Sequence, residues 1–201
     1  MDTSRLEAFS DAVIAIAITL LVLEIKVPHS ATSSLVSELL SLWPSYLAYG
    51  ISFIVIGAIW INHHAMFKHI VRADEMLLLL NTLQLMFIAF LPFPTAVLAE
   101  SLHSRADEPV ATAFYGCTLA VIGLLVVIMW AYAAHDKRLL SDNISLEEAK
   151  SHGRRLLVGP LGYAIATLTA LVVPWMALMF FIVLNVYFLW PRHRQMRSQP
   201  L

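Results

Sequence analysis

The sequence predicts an all-α integral membrane protein with six transmembrane helices and cytoplasmic N- and C-termini. Of its 201 residues, 59% are hydrophobic and 13% are charged, and the mean hydropathy is +0.75, which is too apolar for a soluble domain. A spanning helix needs about 20 mostly apolar residues, so six spans would leave room for one membrane domain over 1–201 and no separate soluble domain. The six apolar stretches are 5–26, 45–67, 75–99, 109–134, 154–173 and 175–190.

Prolines divide or bend the later stretches. The last two stretches are separated only by Val173-Pro174-Trp175, and proline lacks the amide hydrogen that would continue a helix, so a tight turn is predicted. A single long kinked helix is the competing interpretation. Pro92-Phe93-Pro94, near the outer end of the third stretch, is predicted to kink that helix. Leu35, Leu39 and Leu42 recur at helical spacing and predict a short helix on the outer surface.

The basic residues predict the orientation, because Lys and Arg near helix ends are retained on the cytoplasmic side. One basic residue precedes the first stretch or lies at its start, two follow the second, five follow the fourth and three follow the sixth, which makes eleven of the 13. Only Lys26 and Arg105 fall on the opposite side. The alternation favours six spans with cytoplasmic termini, and it disfavours one helix over 154–190.

Several function classes find no support in the residues. The net charge is −1 and no basic run is interleaved with aromatics, so a nucleic-acid partner is excluded. Cys117 is the single cysteine and lies in an apolar stretch, which predicts a buried structural thiol. The adjacent His63 and His64 point about 100° apart on a helix and have no further ligands nearby, so no metal is predicted. No nucleophile–base pair is recognisable, and we predict no catalytic residue, no cofactor and no enzymatic activity.

The first helix separates an apolar stripe from its polar residues. At 100° per residue, the other stripe residues lie within about 40° of Ile16, whereas Asp11 points about 140° away from it. Ser10 also faces away from the stripe, and an ionisable group near a membrane entrance needs protein partners or water. Ordinary helix packing with some polarity is the alternative interpretation. The stripe consists of Phe9, Ala12, Ile16, Leu20 and Leu23.

Polar residues of the second and third stretches are expected to meet inside the protein. Trp60, His64 and Phe67 share a helix face toward the cytoplasmic end of the second stretch. The amides of Asn81 and Gln84 need hydrogen-bond partners within the membrane, so a bonded interior role together with the histidines is predicted. Proton sensing by His64 is the alternative.

The run Arg5-Leu6-Glu7-Ala8-Phe9-Ser10-Asp11 has the pattern RxxxFSD at the start of the first membrane helix. With the AIxxTLLVLEI-type continuation, the six-stretch layout and the histidines of the second helix, it resembles the transmembrane protein 175 family, the lysosomal potassium channels and their prokaryotic relatives. The resemblance covers essentially the whole chain. It implies a multi-pass protein of the prokaryotic plasma membrane that conducts potassium and other monovalent cations without a TVGYG loop, which is absent here too.

The resemblance also implies roles for residues of the first helix. In the family these helices line a central pore, and the constriction corresponds to Ile16, with Leu20 and Leu23 continuing the same face outward. Thr19 corresponds to a hydroxyl position implicated in selectivity, where its oxygen could replace part of an ion's hydration shell. A ring of Ile16 side chains offers no ligand to a cation, so we interpret it as a hydrophobic gate that must widen to conduct. Glu24 near the outer mouth could concentrate cations, or could simply be solvated.

The resemblance further implies a homotetramer, because vertebrate members carry two six-helix repeats and form dimers whereas this chain carries one. The main alternative function is a proton-coupled secondary transporter with Asp11 and His64 as its relay. Against it, we find no inverted repeat and no pair of broken helices flanking a midplane site. The family's polar network, which holds the pore helices in register, would comprise Arg5, Phe9, Ser10, Asp11, His64 and Asn81.

Overall fold

The computed structural model describes residues 3–27, 34–104 and 107–189, and the secondary structure of these residues is helical. A 3-10 turn, Leu21–Glu24, extends the first helix, and a second one, His135–Lys137, follows the sixth. The helices are α1 (Ser4–Leu20), α2 (Leu35–Ser41), α3 (Trp43–Phe67), α4 (Glu75–Phe90), α5 (Pro92–Ser104), α6 (Glu108–Ala134), α7 (Leu146–Leu156), α8 (Val158–Ala170) and α9 (Pro174–Leu189).

Four helical segments are long and apolar enough to cross a membrane, and α9 is a shorter apolar helix. The third segment combines α4 and α5 through Leu91, whose backbone stays in the right-handed helical region. The predicted kink at the following prolines is therefore confirmed. α2 confirms the predicted short helix before the second stretch, and its leucines are exposed. The four segments are Ser4–Glu24, Trp43–Phe67, Glu75–His103 and Glu108–Lys137.

Helices α8 and α9 form an antiparallel hairpin joined by residues 171–173. Gly159 faces Phe188, and four residues further along α8 the hydroxyl of Tyr163 donates a hydrogen bond to the Asn185 side chain. Residue numbers thus rise along α8 as they fall along α9. The predicted tight turn is confirmed, and the interpretation of one long kinked helix is wrong.

Helices α7 and α8 lie in line alongside α6. Three contacts join α6 to these two helices. They recur every seven residues, with residue numbers rising along α7 and α8 as they fall along α6, so α7 extends α8 at one end. The approach is close, because a Cβ on Gly116 would lie 2.5 Å from the Thr167 hydroxyl oxygen. At its start, α7 has a capping box between Ser145 and Glu148. The contacting pairs are Trp130 with Gly153, Gly123 with Pro160, and Gly116 with Thr167.

The loop after α3 and the loop after α6, both predicted to be cytoplasmic, meet at one end of the bundle. The amide of Ser141 donates to the carbonyl of His69, and Arg138 pairs with Asp74 at 2.7 Å. Although burial opposes the change, hydrogen bonds from Tyr132, from a backbone amide and from Arg138 lower the pKa of Asp74. The two loops thus lie on the same side of the bundle. That this side faces the cytoplasm stays a prediction. Four basic residues of the charge count lie outside the described residues: Arg105, Arg192, Arg194 and Arg197.

One difference from expectation concerns a single side chain. Cys117 is exposed, so the predicted burial of its thiol is wrong. It belongs to an uncovered stripe of α6 that includes Phe114 and Leu124. An apolar stretch in a membrane helix contains outward-facing residues as well as core residues, so hydropathy does not separate the two. At the opposite end from the paired loops, Trp43 and Trp175 stack with their ring centroids 6.1 Å apart.

Two histidines and a tryptophan connect the loop after α3 to α7. The rings of His69 and His152 lie 5.7 Å apart, and Trp130 packs on His152 at 4.4 Å. Burial first, and then the positive charges of His69 and Arg155, lower the pKa of His152 to about 4. Glu148 on α7 is the nearby acidic group. The pKa of Glu148 is lowered, and its electrostatic interaction with His69 is one of the smaller causes. His152 is therefore neutral in the folded protein at neutral pH.

We expect the contact between this loop and α7 to weaken as the pH falls. The usual pKa of histidine is near 6.5, above the folded value, so its contribution to stability is full above 6.5 and is lost as the pH falls toward 4. Amide hydrogen exchange of α7, corrected for the intrinsic pH dependence, should show loss of protection over this window. His152→Gln should flatten the change. His135→Gln, at an exposed histidine beside Asp136, is the control and should leave the pH dependence unaltered. A profile for His152→Gln identical to that of wild type would show that His152 is not the group responsible.

Candidate functional site

Helix α1 buries one face and leaves the predicted apolar stripe uncovered. The buried face follows helical spacing through Ser10, Ile14 and Ala17. On the other side, Ile16 is 58% exposed and Leu23, in the following 3-10 turn, is 70% exposed. Phe9, Ala12 and Leu20 are also exposed. A continuous apolar strip of this helix is therefore uncovered in the isolated chain.

Thr19 lies at the edge of the stripe with its hydroxyl already oriented. Its Oγ1 donates a hydrogen bond to the carbonyl of Ile16, 2.8 Å away on the same helix, and the side chain is exposed. A hydroxyl has one donor and two acceptor lone pairs. Because its hydrogen is directed at the backbone, the oxygen lone pairs remain available to a cation or water.

A chain of buried hydrogen bonds joins α1, α4 and α3. The Asn81 amide nitrogen donates to Ser10 Oγ at 2.9 Å, and Asn81 Oδ1 lies 2.9 Å from His63 Nε2. Since the amide oxygen only accepts, His63 carries its proton on Nε2. Ser10 in turn donates to the carbonyl of Leu6 at 2.8 Å. All three polar side chains are buried, so water does not reach them. Each hydrogen bond therefore supplies a partner that would otherwise be missing.

The structure brings His63, and not the predicted His64, against Asn81. The two neighbours point about 100° apart, and α4 lies on the side of His63. His64 is exposed and stacks on Trp60 with ring centroids 6.3 Å apart. Arg5 is exposed, and no ion pair of Arg5 occurs among the described residues. Of the predicted network, only Ser10 and Asn81 are therefore bonded to each other within one chain.

Asp11 forms a separate connection between α1 and α3. The indole Nε1 of Trp60 donates a hydrogen bond to Asp11 Oδ1 at 2.9 Å. This pair was not predicted, although an indole N–H needs an acceptor and Asp11 is a carboxylate at the same end of the neighbouring helix. With His64 stacked on Trp60, the three side chains form one contiguous exposed group.

Gln84 is an exception among the buried amides. It is fully buried one turn beyond Asn81 on α4, and neither its nitrogen nor its oxygen has a hydrogen-bond partner among the described residues. The predicted bonded role of Gln84 therefore does not hold within the isolated chain. The contrast with Asn81 provides two chemically similar amides, one bonded and one not.

Within 3–27, 34–104 and 107–189, no group of three or more His, Cys, Asp or Glu side chains is arranged to hold a metal ion. On α1, the side chains of Ser10, Asp11 and Thr19 form hydrogen bonds to other helices or to the backbone. The fold and this site therefore define a helical membrane protein whose first helix is held by polar ties on one side and presents an apolar stripe on the other.

Comparison with known proteins gives the family. Residues 5–92 match the family described as endosomal/lysosomal potassium channel TMEM175. The chain is 43% identical over 190 residues to a protein of Chamaesiphon minutus named as a potassium channel, with 93% of each chain covered. It is 41% identical to another of that name from Streptomyces collinus, covering 81% of this chain and 79% of that one. The chain belongs to the TMEM175 family.

A solved structure agrees with the fold. The crystal structure described as a lysosomal potassium-selective channel TMEM175 homolog from Chamaesiphon minutus superposes with a TM-score of 0.83 at 42% identity, covering 92% of this chain and 95% of that one. The human protein named endosomal/lysosomal proton channel TMEM175 is 34% identical over 155 residues, which are 72% of this chain and 31% of the human one. This family consists of membrane-embedded channels.

Replacing each buried amide by an apolar side chain should have opposite effects. Asn81→Leu leaves the His63 Nε2–H without an acceptor and should lower the free energy of unfolding by about 1–3 kcal/mol. Gln84→Leu removes a buried amide that has no partner, so stability should stay equal or rise. Unfolding of both variants in mixed micelles at increasing denaturing detergent would measure this. Equal losses in the two variants would show that the hydrogen bonds of Asn81 contribute nothing measurable.

Proposed function

We propose that this chain is one subunit of a potassium-permeable cation channel in a prokaryotic plasma membrane, with a pore lined by the first helix of four identical subunits. The observation that carries the proposal is the uncovered apolar stripe of α1, on a helix whose opposite face is fixed by hydrogen bonds to α3 and α4. The relatives named as potassium channels support the permeant ion. The chain contains no TVGYG loop, so potassium preference would come from another device.

Six spans with both termini in the cytoplasm fit the arrangement of the helices. The α8–α9 hairpin supplies two antiparallel apolar helices beyond the first four segments. The fifth span would comprise α8 and the end of α7, which lies in line with it along α6. At about 1.5 Å per residue, the 16 residues of α9 extend about 24 Å, so the sixth span would be little tilted.

A homotetramer would place four copies of the stripe around one axis. In such an assembly Ile16, near the middle of the stripe, would face the axis. A ring of four isoleucines excludes water when tight, so conduction would require the α1 helices to separate. Leu20 and Leu23 would continue the apolar lining outward. Arg5 and Phe9, exposed in the single chain, would complete the polar network between subunits.

Thr19 is the residue that we assign to selectivity. One turn outward from Ile16, four Thr19 hydroxyls would present lone pairs toward the axis, because each hydrogen is donated to its own helix. Such a ring can replace part of the hydration shell of a cation, but it supplies fewer oxygens than a carbonyl filter. Potassium selectivity would therefore be modest.

The outer mouth carries acidic residues that could concentrate cations. Glu24 follows the stripe and lines an open groove of about 630 Å³ that Glu100 and Asp107 also line. Lys26 belongs to the same groove and offsets part of the negative charge. The electrostatic attraction would fall with salt, as expected for exposed charges.

Proton movement is a second candidate, either as permeation or in proton-coupled secondary transport. It is favoured by the exposed group of Asp11, Trp60 and His64, which places a carboxylate at the N–H edge and an imidazole on the face of one indole ring system. The vertebrate relatives named as proton channels agree with this candidate. A transporter would show substrate-dependent proton flux without unitary currents, whereas a channel would show unitary currents.

The gate assignment predicts the effect of a polar substitution at Ile16. Ile16→Asn should raise the current measured without any activating stimulus several-fold, because a polar ring stays wetted. Ile14 lies on the buried face and gives a matched control: Ile16→Val should alter conduction, and Ile14→Val should not. Single-channel recording in planar bilayers measures both. Identical conductance and open probability for wild type and Ile16→Asn would exclude the gate.

The selectivity assignment predicts different results for two substitutions at Thr19. Thr19→Val keeps the shape and removes the hydroxyl, and an interaction of about 1 kcal/mol would lower the potassium-to-sodium permeability ratio about fivefold. Thr19→Ser keeps the hydroxyl and should retain most of the ratio. Reversal potentials under bi-ionic conditions give the ratio. A reversal potential that follows the pH gradient and ignores potassium would instead support the proton candidate.

A further inference from the structure

A narrow crevice opens between α3, α6, α8 and α9. Its volume is about 530 Å³ including the open side, but only about 60 Å³ is wide enough for the centre of a water-sized sphere. Leu156, Gly159 and Phe188 contribute to walls that are almost entirely apolar, and the side chains of Asn62 and Asn185 are among the few polar ones. Such a slot suits a chain one methylene wide better than a ring system or a polar solute.

The crevice exists because small residues line it. Gly123 approaches Pro160 so closely that a Cβ would lie 3.2 Å from the proline ring. Gly159 is less confined, because a Cβ there would lie 3.5 Å from Phe188, which is an ordinary contact. A large side chain at position 159 would therefore extend into the crevice toward Phe188.

Basic residues stand at the end of the crevice that Leu156 lines. Arg154 and Arg155 precede Leu156 on α7, and neither forms an ion pair within the part of the chain that the structure describes. Arg154 is exposed. Val158 and Leu161 are exposed apolar residues on the same outward side, one and two turns further along the helix. An unpaired arginine beside the start of an outward apolar surface is typical of the level of lipid headgroups.

We propose that this crevice holds one acyl chain of an anionic phospholipid, with the headgroup phosphate bound by the half-exposed Arg155. The apolar slot accounts for the chain and the unpaired guanidinium group of Arg155 accounts for the negative charge, since Arg binds phosphate through paired N–H donors. The inference rests on the proposed orientation only for the leaflet, which is the cytoplasmic one. Lipid binding at this site does not depend on ion conduction.

The site also offers a route from lipid to the first helix. Asn62, on the wall of the crevice, is the neighbour in sequence of His63, which bonds to Asn81 and through it to Ser10 of α1. A chain that fills the crevice would restrict the movement of this part of α3. The bound lipid would thereby stabilise one position of α1.

Native mass spectrometry of the full chain would test the site. Purified protein is titrated with dioleoyl phosphatidylglycerol and, separately, with dioleoyl phosphatidylcholine, which has the same chains and no net charge. We expect wild type to retain the anionic lipid about tenfold more tightly, and the substitution Arg155→Gln to remove that preference. Arg72→Gln, at a basic residue paired with Asp142 on the loop after α3, is the matched control and should keep it.

Further variants separate the chain from the headgroup and from other occupants. Gly159→Leu should reduce retention of both lipids, because it fills the slot. Equal retention by wild type and the Arg155→Gln variant would overturn the proposal, as would displacement of the lipid by inorganic phosphate at equal concentration, which would show an anion site without a chain. A changed oligomeric mass for Gly159→Leu with unchanged lipid retention would show that a second copy covers the crevice, and would likewise overturn it. Lipid retention is measured without current, so its failure leaves the channel proposal to its own recordings.

Discussion

The amide of Asn81 is the constraint on which the arrangement of α1 depends. No water is available in a bilayer core to satisfy a polar side chain, so the serine of α1, the histidine of α3 and the amide of α4 have to satisfy one another. Asn81 is the member that can both donate and accept, and it does both. A three-helix contact of this kind tolerates little rotation of α1, because turning the helix by one residue would leave two buried polar groups unpaired.

This constraint determines which residues α1 leaves uncovered. Once Ser10 faces Asn81, helical periodicity places Ile14 and Ala17 on the same buried side and places Ile16 outward. The bond between Trp60 and Asp11 fixes the helix at a second point, on the exposed side of the α1–α3 contact. The exposure of the apolar stripe is thus a consequence of the polar ties on the other side of α1.

Most of the fold was predictable, because the length and hydropathy of a chain segment identify a membrane helix without knowledge of how the helices pack. The hairpin at Pro174 followed from a missing amide and from the alternation of charge, and the stripe of α1 followed from helical periodicity. The side-chain partners were less accessible. Choosing His63 over His64 requires the position of α4, and the exposure of Cys117 requires knowledge of which side of α6 other helices cover. The bond between Trp60 and Asp11 could have been predicted by matching hydrogen-bond donors with acceptors at the same end of the two helices. The unpaired state of Gln84 could not, because it depends on the absence of polar groups around it in the packed structure.

The uncovered stripe has a consequence for how such a protein can change over time. Ile16, Leu20 and Leu23 contribute little to the packing of their own chain, so substitutions there cost the folded subunit little. The buried side of the same helix has no such freedom, because its polar partners would lose their bonds. A lineage of these proteins could therefore acquire a wider, narrower or more polar passage by exchanging a few side chains, while the scaffold that holds the helix stays as it is.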